Sequence, residues 1–179
     1  MNSKKISINN SPSRYYPKLN FPSYRHIPGL TPHPISDPNG HSFNKNITDT
    51  TILTNNNWNS CSTFLYAIDL FNYAYFWEAH EYLEELWKNL TNSSEKLLLQ
   101  AIIQSAAALI KNYQNNTQGM IKLFTKSRQK FENIFTETGK NTLLGIRLDA
   151  CISYIDCFLK NSKNTSDCDF TIKLTKFPN

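Results

Sequence analysis

The sequence predicts an all-α protein: an antiparallel bundle of about five helices, with an irregular Pro-rich N-terminal arm and a short extended C-terminal tail. Three observations carry this. Residues 58–160 contain no proline and repeat apolar side chains at helical spacing. Residues 1–57 hold seven of the eight prolines and several turn dipeptides, with no sustained period, and so read as an irregular arm, partly disordered at its start. Residues 161–179 open on a polar stretch. They close on Phe170 to Phe177, where apolar and polar residues alternate as in an edge strand or extended tail.

Within 58–160 the breakers divide the pattern. A first helix is expected over 60–71, with Phe64, Leu65, Ile68 and Phe71 on one face. A second is expected over 75–90, ended by Thr91-Asn92-Ser93-Ser94. Ser93 or Ser94 can cap a third, which runs to about 114 along Leu98, Leu99, Ile102, Ile103, Ala106, Leu109 and Ile110. Its small stretch from Ser105 to Ala108 would let a neighbouring helix approach closely. A fourth, over 117–135, places Met120, Leu123, Phe124, Ser127, Phe131, Ile134 and Phe135 on one stripe. A turn at Gly139 or Lys140 leads into a fifth along Leu144, Leu148, Cys151, Ile152, Ile155, Phe158 and Leu159. Short connections between amphipathic helices imply antiparallel neighbours.

Composition excludes some function classes. No apolar run approaches the roughly 18 residues of a membrane span, and Met1 to Ser7 lacks the apolar core of a secretory signal. The cysteines Cys61, Cys151, Cys157 and Cys168 form no CxxC pair and read as reduced thiols of a cytoplasmic protein. Cys151 and Cys157, six apart on one helix, fit neither a disulfide nor a metal pair. The net charge of +5 is uneven: residues 1–58 carry six Lys/Arg against two Asp/Glu, and residues 59–160 carry ten of each. A nucleic-acid binder clusters its basic residues on the folded body. The scattered Lys4, Lys5, Arg14, Lys18 and Arg25, even beside Tyr15, Tyr16 and Tyr24, make nucleic acid the least supported partner.

The chemistry-bearing segment is the second helix. On a helical wheel Phe71, Tyr75, Phe76, Ala79, Tyr82, Leu83, Leu86, Trp87 and Leu90 share the core face. His80, Glu81 and Glu84 cluster beside it, framed by Trp77 and Trp87, while Glu78 and Glu85 fall on its opposite border. His80 and Glu84 are an i,i+4 pair, close enough to hydrogen-bond or to share a cation. The zinc-protease motif HExxH needs a second histidine where Glu84 stands, so that reading is rejected. On the third helix Gln100 and Gln104 are also i,i+4, and their amides can reach His80 or Glu84 across a helix pair. In the arm, His33, Asp37 and His41 have the chemistry to complete a divalent-metal site with His80 and Glu84. Equally, they can cap the bundle.

The string Asp69-Leu-Phe-Asn72, Tyr75-Phe-Trp-Glu-Ala-His-Glu81, Leu83-Glu84 and Trp87, followed by Leu99-Gln100-Ala-Ile-Ile-Gln104-Ser-Ala-Ala-Ala-Leu109, resembles the signature of domain-of-unknown-function family 309 (DUF309). The resemblance covers about residues 62–135. Pro28-Gly-Leu-Thr-Pro-His-Pro and Asp37-Pro-Asn-Gly-His-Ser are similar to the arm of longer bacterial members. It implies a small bacterial-type helical bundle with no established activity, and His80, Glu81, Glu84, Gln100 and Gln104 as its shared polar positions. This chain departs from the family at Ala74 and Ala101, where glycine is common. Lys111 and Asn112 stand near the end of the third helix, where the family tends to place a histidine.

Two readings of function follow. The leading one is a scaffold or interaction module, with a protein partner or a second copy, whose His/Glu/Gln cluster locks helix two against helix three. The alternative is a metal-binding or metal-dependent, hydrolase-like enzyme lidded by the arm. In it, His80, Glu81 and Glu84 act as ligands or acid/base groups, with His33, His41 and Asp37 as supplementary ligands.

Overall fold

The computed structural model describes residues 13–45, 47–91 and 93–175. After a short 3-10 helix, Trp58–Ser60, come α1 (Ser62–Asn72), α2 (Phe76–Lys88), α3 (Ser94–Tyr113), α4 (Thr117–Thr138), a two-stranded hairpin of β1 (Thr142–Leu143) and β2 (Ile146–Arg147), and α5 (Leu148–Lys160). Each helix packs on the next in sequence, the arrangement expected of short connections. Among the described residues no helix is long and apolar enough to cross a membrane. Met1 to Pro12, with Lys4 and Lys5, lies outside the described residues, as do Asn46, Asn92 and the end of the tail with Phe177.

Local chemistry sets the helix ends. Ser93 accepts a hydrogen bond from Lys96 N–H at 3.2 Å and opens α3. Asn116 accepts from Gly119 N–H at 2.8 Å and opens α4. Helix α1 closes with Tyr75 N–H on Leu70 C=O and Ala74 N–H on Phe71 C=O, a Schellman motif whose left-handed residue is Ala74, φ 64°. Asn115, φ 55°, closes α3 in the same way. Phe64 and Phe71 of α1 and Phe124 and Phe131 of α4 are fully buried, each worth about 2–3 kcal/mol of transfer free energy. Between α3 and α4 the small residues do what their size suggests. Ser127 Oγ donates to Ala101 C=O at 2.7 Å and meets Ser105 Oγ at 2.8 Å in the buried interface.

Three expectations are corrected. The fifth helix does not include Leu144. Leu144 (φ 47°) and Gly145 (φ 72°) are the two central residues of the β1–β2 turn, and positive φ at both suits the right-handed strand twist. Leu144 is still buried, as its apolar spacing implied. A Cβ on Gly145 would come within 2.5 Å of the Trp58 ring, so this turn requires glycine twice over. Phe135 is 51% exposed, because the stripe of α4 rotates away from the core near its end. Finally, Cys157 is disulfide-bonded to Cys168, while Cys61 and Cys151 are buried free thiols. The reading of all four cysteines as reduced thiols is thus overturned for Cys157 and Cys168. The partner of Cys157 comes from the tail, which turns back over α5.

Arm and tail both dock. In the tail, Ile172 exchanges hydrogen bonds with the Asn72 amide (2.7 and 2.8 Å), and Leu174 bridges Ile146 of β2. Phe170 inserts between Phe71, Phe124 and Tyr154. Among the described residues the arm has no regular element before Trp58, yet it is tied to α1 and the start of α2 through Tyr66 OH to Asn20 C=O (2.8 Å), Tyr75 OH to Pro22 C=O (3.2 Å) and the Phe21 ring stacked on Tyr75.

Candidate functional site

The α2 stripe carries Trp77, His80, Glu81 and Glu84 along one side, as the helical spacing requires. His80 Nε2 lies 3.4 Å from Glu84 Oε2, with side chains 30% and 41% exposed. One ligand atom each from His80, Glu81 and Glu84 lies within 4.8 Å of the others. Burial pushes the Glu81 carboxyl above the ordinary glutamate value; the facing charges of His80, Lys88 and His33 pull it back, and Glu84 adds to the rise. These three side chains therefore form a converging group, half open to solvent, with one carboxyl partly desolvated.

The expected amide support from α3 does not form. Among the described residues neither Gln100 nor Gln104 hydrogen-bonds to His80 or Glu84, and Gln104 Oε1 is buried without a partner. Trp87 frames the far end: Lys96 Nζ sits 4.5 Å over its ring, and its Nε1 is likewise buried and unpartnered. At the near end the rings of His26, His33 and Trp77 meet edge-on, with centroids 5.1–5.3 Å apart.

The arm residues divide. His33 stands on Trp77, one turn below His80 and Glu81. Asp37 instead accepts from Asn39 N–H at 2.8 Å in its own turn, and His41 Nε2 lies 3.0 Å from Glu78 Oε1. The converging group among the described residues includes none of His33, Asp37 and His41.

Sequence reasoning missed the residues that seat the arm. Asp69, 1% exposed, accepts from Tyr15 N–H (2.7 Å), Tyr16 N–H (2.8 Å) and Arg14 Nε (3.4 Å). Glu78, 3% exposed, accepts from His26 N–H at 2.9 Å and faces His41, while its Oε2 has no partner. A signal was present. Asp69 interrupts the otherwise apolar run from Phe64 to Phe71, and a charge on a buried face needs donors from elsewhere. Two arm cations are consumed internally: Arg14 pairs with Asp69 and lies 4.1 Å over the Phe21 ring, and Arg25 lies over Tyr75.

Residues 64–123, the segment holding the whole α2 stripe and both glutamines, match a family model described as "Domain of unknown function (DUF309)". No curated protein and no solved structure matches the chain.

Proposed function

We propose that this chain, whose residues 64–123 match the DUF309 family model, is a divalent-metal-binding helical module in which His80, Glu81 and Glu84 are the protein ligands. The observation that carries this reading is their convergence within 4.8 Å on one half-open stripe. The His80–Glu84 separation of 3.4 Å equals the ligand–ligand edge of a tetrahedral site with bonds of about 2.0–2.1 Å. One imidazole and two carboxylates suit zinc or a neighbouring first-row cation. Three protein ligands leave a position for water, which hydrolytic chemistry requires.

Exposure argues against a purely structural role for the same residues. An ion pair this accessible contributes about 0–1 kcal/mol, too little to lock two helices, and among the described residues the α3 amides do not complete a network with it, Gln104 Oε1 being buried without a partner. A scaffold reading keeps one support of its own. The arm exposes Leu30 (74%) and Ile52 (63%), apolar side chains a protein partner or a second copy would cover.

Calorimetric titration of chelator-stripped protein with Zn(II) and Mn(II) tests the metal reading. Expected is one site per chain, with affinity at least 100-fold weaker in Glu84→Gln and an unchanged melt of the metal-free variant. Equal affinity in wild type and Glu84→Gln, or no binding by wild type, refutes it.

A further inference from the structure

We infer that His33 is a ligand-binding residue of this site, not a fourth metal ligand: its Nε2–H donates to an anionic oxygen of a small oxyanion, carboxylate or phosphate ester held at the His80–Glu81–Glu84 group. The inference rests on the metal reading and names the class of ligand that site takes.

The tautomer decides between the two roles. His33 Nδ1 accepts from the backbone N–H of both Ile35 and Ser36, each at 3.3 Å. A neutral imidazole whose Nδ1 is an acceptor carries its proton on Nε2. Binding a metal through Nε2 would move that proton to Nδ1, directly against two N–H donors. The ring is therefore set up to donate from Nε2. That atom has no hydrogen-bond partner among the described residues, and the side chain is exposed.

The loop around His33 is built to hold this orientation. The ring packs edge-on against Trp77 and His26 at 5.3 Å. His26 is itself fixed, with its N–H on Glu78 and its Nδ1 2.9 Å from Thr31 Oγ1. Burial, and then the neighbouring His33, hold His26 below the ordinary histidine value. The loop closes on His33 through Asp37 N–H to His33 C=O (3.1 Å) and Ser42 N–H to Pro34 C=O (3.0 Å). At Gly40 a Cβ would lie 2.5 Å from His33 O and 2.3 Å from Pro34 O, so the backbone passes there only because residue 40 has no side chain. Trp77 precedes His80 by three residues and Glu81 by four, so a donor standing on Trp77 faces the space beside the metal group. A cation with an open position draws an anionic oxygen, and a fixed N–H beside it selects for one.

The test uses full-length protein loaded with one equivalent of Zn(II), titrated with inorganic phosphate and, separately, with acetate. His33→Phe keeps an aromatic ring against Trp77 and removes the donor, and His33→Gln keeps a donor. The expected result is zinc affinity unchanged in both variants, phosphate affinity at least tenfold weaker in His33→Phe, and recovery in His33→Gln. Phosphate against acetate then separates a phosphoryl preference from a carboxylate one. Three results overturn the inference while leaving the metal reading intact: phosphate binding equal in wild type and His33→Phe, neither anion bound by the zinc form at millimolar concentration, or zinc affinity falling in His33→Phe, which makes His33 a ligand. Failure of wild type to bind zinc removes both.

Discussion

At the residue scale, two positions on and beside α2 are set against the stability of the fold. Ala74 closes α1 at φ 64°, where a Cβ costs about 1–2 kcal/mol. Ala74→Gly is expected to stabilise the protein by about 1 kcal/mol in urea denaturation, and a loss of stability would contradict the left-handed assignment. The sequence marked Ala74 as a position of a tight turn or close packing, and its φ shows that the turn is the reason. Glu81 is the second position. Its carboxyl is raised by burial, so the folded chain holds that proton more tightly than the unfolded chain does. The resulting penalty is absent below the unfolded value and complete above the folded one. In metal-free protein Glu81→Gln should raise the melting temperature at pH 7 and leave it unchanged near pH 3. A rise of equal size at both pH values would assign the effect to packing instead. A half-buried carboxylate that costs stability fits a residue retained for binding.

At the scale of elements, α2 was readable on one side and opaque on the other. Period 3.6 put Ala79, Leu83 and Leu86 in the core and gathered His80, Glu81 and Glu84, because those positions depend only on helix geometry. Glu78 was placed at the border of the core face. What buries it is the arm, and the arm's path is set by prolines and side-chain contacts that have no period to read. The β1–β2 hairpin was missed for a related reason: Leu144 continues the apolar spacing of α5, and only the φ values of Leu144 and Gly145 turn the chain. Glu78→Ala leaves His26 N–H and His41 without their acceptor. Removing one partner from such a buried pair costs on the order of 3 kcal/mol. The expected readouts are that loss of stability together with faster amide exchange across residues 26–43. Unchanged exchange there would show that Glu78 does not hold the arm.

Over the whole molecule, the bundle is a platform and the two irregular segments finish it. The tail adds Phe170 and Ile172 to the core and is fastened by Cys157–Cys168, a pairing that counting along a helix could not supply because its second cysteine returns from the tail. The arm brings His33 to Trp77 and spends Arg14 and Arg25 on the protein itself. The basic balance of residues 1–58 is thus partly structural, which removes much of the case for nucleic acid. The fold class was legible because helical periodicity, capping residues and proline placement are local signals. The site was legible only as one helix stripe, since the arm that faces it follows no repeat. The central claim is that this stripe binds a divalent cation without holding the fold together. Elemental mass spectrometry on protein purified without a metal-chelating tag, wild type beside His80→Ala, measures it most directly when paired with thermal melts of the two metal-free proteins. The account predicts close to one cation per wild-type chain, none in the variant, and melts that nearly coincide. Metal-free wild type, together with a His80→Ala variant destabilised by about 3 kcal/mol, would contradict it and return the cluster to a structural role.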